Sequence, residues 1–134
     1  DKILADFVNI QEEIGILYDR KAYALTMSKY VQKALKFNDQ AVALRYNDPI
    51  CHVNRSFTLG ELGRFEEAIE ECDIAISLNP NYSMPWNNKG YNLFRLGKPE
   101  EGLKCVEKAL ELDPTNENAQ DSKDQILDAL GRTD

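Results

Sequence analysis

Cys51 and His52 stand side by side, and His52 is the single histidine of the chain, so nucleophilic or metal chemistry would have to start from this pair. A thiol next to an imidazole can be deprotonated and attack, and with Cys72 the pair could contribute to a metal site. Neither arrangement is complete. Adjacent residues on a helix point away from each other, nothing is placed to orient the histidine, and no second paired set lies at zinc-ligand spacing. There is no glycine-rich phosphate loop. The glutamates Glu66, Glu67, Glu70 and Glu71 read as the solvated face of a helix. We therefore expect no enzyme, no metal and no cofactor, with His52 as a packed side chain and the cysteines as small apolar thiols.

Bulk properties narrow the partners. The chain has 134 residues, 43% of them hydrophobic, and a formal net charge of -7. That is enough to build a core, yet no run approaches the ~20 apolar residues that cross a bilayer, so no membrane association is expected. The acidic balance argues against nucleic acid, whose binders cluster Lys and Arg on one face. Late in the chain Glu111, Asp113, Glu117, Asp121, Asp124, Asp128 and Asp134 face only Lys123 and Arg132, which would steer partners with basic stretches to that end. Cys51, Cys72 and Cys105 form an odd set without paired spacing and suit a reducing, cytoplasmic setting. The triplets Asn54-Arg55-Ser56 and Asn81-Tyr82-Ser83 match the glycosylation pattern but need a secretory route, and we discount them. The first residue is Asp, which suits a processed form or a piece of something longer.

What positions these side chains is a repeat. Leu25, Leu59, Leu93 and Leu127 fall 34 residues apart, as do Ala41, Ala75 and Ala109, then Leu44, Leu78 and Leu112, then Gly63, Gly97 and Gly131. A fixed period of this length marks stacked units rather than one globular core. From Ser83 to Asn116, Ser83 as N-cap and Pro85 in the first turn open a helix that should stop at Leu96-Gly97. A second helix is expected from Pro99 to Leu112, with Glu100 and Glu101 in its first turn and Asp113-Pro114 to end it. Pro49 to Tyr82 repeats the punctuation with Asp48-Pro49, Leu62-Gly63-Arg64 and Asn79-Pro80. Ser56 and Gly90 on first helices, and Ala68, Gly102, Ala75 and Ala109 on second ones, let paired backbones approach closely.

Trp86, Gly90, Leu93, Gly97, Ala109 and Pro114 stand at the spacings of the tetratricopeptide repeat, and residues 15 to 134 resemble that family. The middle unit keeps Leu59, Gly63, Phe65, Ala68, Ala75 and Pro80. The first keeps Tyr18, Ala22, Leu25, Ala34, Ala41 and Leu44, but has Lys29 in place of the turn glycine and Tyr46 in place of the proline. The resemblance implies an all-α, right-handed superhelix, an α-solenoid of about three helical hairpins at residues 15–48, 49–82 and 83–116. Residues 117–134 are expected to form a C-terminal capping helix, polar where Asp124 replaces the small residue. In residues 1–14 and just beyond, Ile3, Phe7, Ile10, Ile14 and Leu17 recur at alternating four and three. We expect an N-terminal helix there that packs on or extends the first repeat, with a dimerisation seam or a fragment of an upstream repeat as the alternatives.

In this family the first helices line a concave groove that holds peptides. Carried over residue by residue, the groove takes Asp19, Arg20, Tyr23 and Met27 from the first unit. It takes Ile50, Val53, Asn54, Phe57 and Glu61 from the second, and Met84, Asn87, Asn88, Tyr91, Phe94 and Arg95 from the third. Tyr23, Phe57 and Tyr91 make an aromatic row, and Asn54 with Asn88 an amide row that could grip an extended backbone. The competing reading is that these residues only pack first helices together. One subgroup of the family clamps the terminal carboxylate of its client with lysine, arginine and asparagine. Asn54 matches that clamp, whereas Asp19, Tyr23, Met84 and Asn88 supply no cation, so a chaperone-type acidic tail is not expected to bind. The expected function is a non-enzymatic adaptor for a protein or peptide segment with hydrophobic anchors. The alternative is a homo-oligomeric scaffold assembled through the N-terminal helix or the open stacking ends.

Overall fold

The computed structural model describes residues 1–132 of the chain, so Asp134 and the end of the expected capping segment lie outside the described residues. Those residues form seven α-helices: α1 Lys2–Thr26, α2 Val31–Arg45, α3 Pro49–Glu61, α4 Phe65–Leu78, α5 Ser83–Arg95, α6 Pro99–Leu112 and α7 Glu117–Ala129. Helices α1/α2, α3/α4 and α5/α6 pair as hairpins, and α1, α3, α5 and α7 also touch in succession. The result is an all-α solenoid whose first helices form one wall and whose second helices form the other.

Local chemistry sets the turns. Gly63, Gly97 and Gly131 adopt φ of 77°, 89° and 72°, the left-handed conformation that glycine takes without steric cost. Each lets the next N–H reach back across the helix end: Arg64 to the Leu59 carbonyl at 2.9 Å, Lys98 to Leu93 at 2.9 Å and Arg132 to Leu127 at 2.8 Å. Lys29 occupies the equivalent place after α1 and cannot do this cheaply. There the Ser28 hydroxyl donates to the Leu25 carbonyl at 2.8 Å and accepts from the Tyr30 N–H at 3.3 Å. Asp48 caps α3 by accepting from the Ile50 N–H, and Asn116 caps α7 by accepting from that of Ala119. Ser83 is not a cap, contrary to expectation. Tyr82 is already the boundary residue of α5, and the buried Ser83 hydroxyl instead donates to the Ala109 carbonyl on α6 at 2.9 Å.

Close packing carries the hairpins. A Cβ built on Gly90 would meet the Gly102 carbonyl oxygen at 2.6 Å, and one on Gly102 would meet the Gly90 carbonyl oxygen at 2.5 Å. The late repeats gather around Leu103, Val106, Ala109, Ala119 and Ile126, with Trp86, Phe94 and Leu127 packed against them. The first hairpin buries smaller and more polar residues: Gly15, Asp19, Ala22 and Thr26 on α1, and Ala34, Asn38 and Ala41 on α2. The carboxamide of Asn38 is buried there with neither its oxygen nor its nitrogen hydrogen-bonded.

Residues 1–14 do not form a separate helix folded onto the first repeat. No proline interrupts α1, which runs unbroken from Lys2 through Gly15 to Thr26, so the segment extends the first helix outward. Ile3, Phe7, Ile10, Ile14 and Leu17 remain exposed on it.

Neighbouring repeats are tied by polar contacts at the repeat spacing. The hydroxyls of Thr26 and Thr58 lie 2.8 Å apart, Asn88 Nδ2 donates to Ser56 Oγ at 3.2 Å, and Arg55 and Lys89 pair with Asp39 and Asp73 on the preceding second helix. The deepest tie is His52. Its Nδ1 lies 2.7 Å from Glu71 Oε2 and its Nε2 lies 2.7 Å from the Tyr46 carbonyl oxygen, while Arg55 donates to the other Glu71 oxygen. A carboxylate and a carbonyl have no hydrogen to give, so both ring nitrogens carry protons and the buried ring is an imidazolium. Burial by itself would push its pKa down; the Cys51 sulfur, Glu71 and the Tyr46 carbonyl outweigh that and raise it from 6.5 to about 10. Burial would raise the Glu71 pKa, but His52 and Arg55 hold it below the ordinary glutamate value.

Two measurements check this account. Gly90→Ala should destabilise the fold by about 1–3 kcal/mol in urea unfolding through overpacking, because backbone is what the new methyl meets. Gly60→Ala, which faces only the movable Asn92 carboxamide, should cost less; equal effects would refute the close-approach account. Because the folded pKa of His52 is raised, its stabilising contribution is complete below pH 6.5 and fades as pH rises through about 10. Unfolding free energies of wild type and His52→Gln should therefore converge over that alkaline range, and parallel pH profiles would remove the imidazolium from the account.

Candidate functional site

The principal cavity opens on the wall made by the first helices. Its volume is about 450 Å³, and Tyr23, Val53, Asn54, Phe57, Met84, Asn87, Asn88 and Tyr91 line it. Each of these lies on α1, α3 or α5, because residues three, four and seven apart share one helix face. Ile50 lines an adjoining cavity of about 480 Å³ that shares Tyr23 and Asn54 with the first and also reaches Asp19, Arg20 and Arg45. Arg95 and Glu61 border a narrow crevice beyond Tyr91. Phe94 is not in the groove. It sits at the edge of the groove face, where α6 and α7 offer apolar contact, and it packs against the core of the last repeats.

The far wall of the cavity was missed in the sequence. Asn118, Asp121, Ser122 and Gln125 of α7 complete it, and they lie one period after Met84, Asn87, Asn88 and Tyr91. The groove register, continued onto the capping helix, would have found all four.

The two rows are only partly free for a ligand. The rings of Tyr23 and Phe57 stack with centroids 6.1 Å apart at 30°, whereas Tyr91 pairs with Phe94 at 6.2 Å. Arg95 lies over both Phe65 and Tyr91, with its guanidinium carbon 5.2 Å and 5.7 Å from the ring centres. In the amide row Asn88 donates to Ser56, so this side chain also binds α5 to α3. Asn87 is 5% exposed, and its carboxamide oxygen is buried without a hydrogen-bond partner.

Charge at the first-repeat end is partly paired. Asp19 accepts from Arg45 at 2.7 Å, and Arg45 also pairs with Asp48. Burial raises the Asp19 pKa, against the lowering effects of Asn54 and Arg45. Asp121 is the one acidic side chain among the described residues that line the principal cavity.

The residues first considered for chemistry are used in packing. The Cys51 thiol donates to the carbonyls of Arg45 and Asp48, each at 3.1 Å, and His52 is held between Glu71 and Tyr46. Burial pushes the Cys72 thiol up to about 12 and raises that of Cys105 as well, which works against the thiolate that a nucleophile needs. Among the described residues no three His, Cys, Asp or Glu side chains gather as metal ligands, and no helix is long and apolar enough to cross a membrane.

Comparison with known proteins agrees with the geometry. Models of the tetratricopeptide repeat match residues 51–82 and 84–116. No curated protein matches the chain significantly. Among solved structures, the first tetratricopeptide domain of Spaghetti (RPAP3), bound to the HSP90 peptide SRMEEVD, is 25% identical with a TM-score of 0.78, covering 90% of this chain and 95% of that one. The first such domain of human RPAP3 is 25% identical with a TM-score of 0.81, covering 90% and 94%. The Sgt2 domain from Aspergillus fumigatus shares the fold at 20% identity and a TM-score of 0.79, covering 87% and 79%. The second and third hairpins are thus tetratricopeptide repeats, and the chain as a whole has the fold of tetratricopeptide repeat domains.

Proposed function

We propose that the chain is a non-catalytic adaptor whose groove holds a segment of another protein by its backbone and by apolar anchors, rather than by its terminal carboxylate. The observation that carries this is the composition of the principal cavity: Tyr23, Val53, Phe57, Met84 and Tyr91 supply apolar area, and Asn54, Asn87 and Asn88 supply amides between them. Such a surface buries hydrophobic side chains while its amides pair with peptide N–H and C=O groups.

The HSP90 peptide SRMEEVD on the first domain of Spaghetti (RPAP3) is acidic and ends in Asp. Here Asp19 and Met84 stand where cations would be required to hold such a tail. A carboxylate brought to the principal cavity would face Asp121 and find no cation among the described residues that line it. Three unpaired cysteines suit a reducing compartment such as the cytoplasm.

Selection of a random-sequence displayed peptide library on the protein, followed by fluorescence anisotropy of the selected peptides, tests this reading. Enriched peptides should carry aromatic or aliphatic anchors, bind equally well with an amidated C-terminus, and bind about tenfold or more weakly to Tyr23→Ala/Asn54→Ala. Tyr23 is exposed and Asn54 partly so, and circular dichroism verifies that the variant stays folded. Binding of SRMEEVD that disappears on amidation would overturn the backbone-and-anchor mode. Peptides bound equally by wild type and variant would overturn the groove itself.

A further inference from the structure

Along the principal cavity the chemistry changes from one end to the other. All of its apolar side chains come from α1, α3 and α5, whereas α7 contributes Asn118, Asp121, Ser122 and Gln125, of which only Asp121 is acidic. The cations nearest in sequence are engaged elsewhere. Lys89 is taken by Asp73, Lys108 by Glu111 and Arg132 by Glu100, and Arg95 lies over the rings of Phe65 and Tyr91. Lys123 is two residues from Asp121, a spacing that turns two side chains to different faces of a helix. Nor does α7 invite the cover that the earlier first helices receive. A further repeat would have to pair a second helix with α7, and the face that would receive it carries Gln120, Asp124 and Asp128 where Trp86, Gly90 and Phe94 stand one period earlier. Gln120 donates to Asp124 there at 3.0 Å, so the face is polar and partly paired with itself.

Taking the groove to hold a peptide as proposed above, we propose that the bound segment carries a lysine or arginine that pairs with Asp121, beyond an apolar anchor seated among Tyr23, Val53 and Phe57. Any segment that crosses the cavity takes water away from Asp121. A neutral side chain at that place leaves the carboxylate partly desolvated with no compensation, and an acidic one adds repulsion. An ammonium or guanidinium replaces the lost hydration with an ion pair, and the oxygens of Asn118, Ser122 and Gln125 can accept its remaining N–H groups. Selectivity is the difference between these cases, so one acid ranks competing segments although a single exposed pair contributes little to affinity. Asp121 lies two first helices beyond α3. Packed helices are about 8–10 Å apart and an extended chain rises about 3.3 Å per residue, which sets the basic residue about five residues from an anchor on α3.

Parallel selection from a random-sequence displayed peptide library on wild type, Asp121→Asn and Asp121→Lys tests the pairing, followed by fluorescence anisotropy of the peptides enriched on wild type. Those peptides should share Lys or Arg at a fixed distance from their apolar anchor and bind Asp121→Asn about three- to tenfold more weakly. On Asp121→Lys they should give way to peptides with Asp or Glu at that distance. Asp128→Asn removes the same charge from a place outside the cavity and should change affinity by less than about twofold. Asp121 and Asp128 are both exposed, and circular dichroism verifies that each variant stays folded. Anchored peptides without a basic position, or equal losses in Asp121→Asn and Asp128→Asn, would overturn the pairing and leave the groove standing. Peptides indifferent to Tyr23→Ala/Asn54→Ala, or none enriched on wild type, would overturn the groove and the pairing together.

Discussion

The solenoid depends on how closely two helix backbones can approach within a hairpin. At Gly90 and Gly102 each carbonyl oxygen occupies the space a methyl group would need on the other helix. In the other hairpins that role passes to Ala22 with Ala34 and Ser56 with Ala68, all fully buried. Close approach fixes the angle within each hairpin, and that angle decides which residues of α1, α3, α5 and α7 face one another across the groove. The groove is therefore a by-product of small residues on the opposite side of the same helices. Its volume is set by positions that no ligand touches.

Stacking of one hairpin on the next uses a different chemistry. Hydroxyls and amides join the first helices directly, as in Thr26 with Thr58 and Asn88 with Ser56. Arg55 and Lys89 reach back to acids on the preceding second helix. Exposed pairs of this kind contribute little individually. His52 and Glu71 differ because they are withdrawn from water, so removal of either partner would leave a charge that the interior cannot solvate. The first and second hairpins thereby each carry a buried ion pair, Asp19 with Arg45 and His52 with Glu71.

The helices and their order were legible in the sequence because the signals are local. Gly63 and Gly97 with the prolines that follow each hairpin act through their own backbone geometry, whatever surrounds them. Contacts made across the fold were not legible. Ser83 has the composition of a cap, yet its hydroxyl is claimed by Ala109 on another helix. Asn88 looks like a ligand-binding amide, yet it is engaged by Ser56. Phe94 shares a helical sector with groove residues and is drawn away by α7, whose own contribution to the groove lay hidden behind its role as a cap. Of the two arrangements the stripe from Ile3 to Leu17 allowed, packing on the first repeat or extending it, the second is the one α1 adopts.

The uneven filling of the core sets a direction for loss of structure. A stack in which each unit touches only its neighbours unfolds from its weaker end, because opening an end breaks one interface and opening the middle breaks two. The first hairpin buries alanine, glycine and an unpaired asparagine carboxamide, where the last buries leucine, valine and isoleucine. Amide protons should thus exchange soonest in α1 and α2 and latest around α5 and α6, in stages rather than in a single cooperative step. Tyr23 and Met27 belong to the loosening end, so one side of the groove is built on the part of the molecule most ready to open.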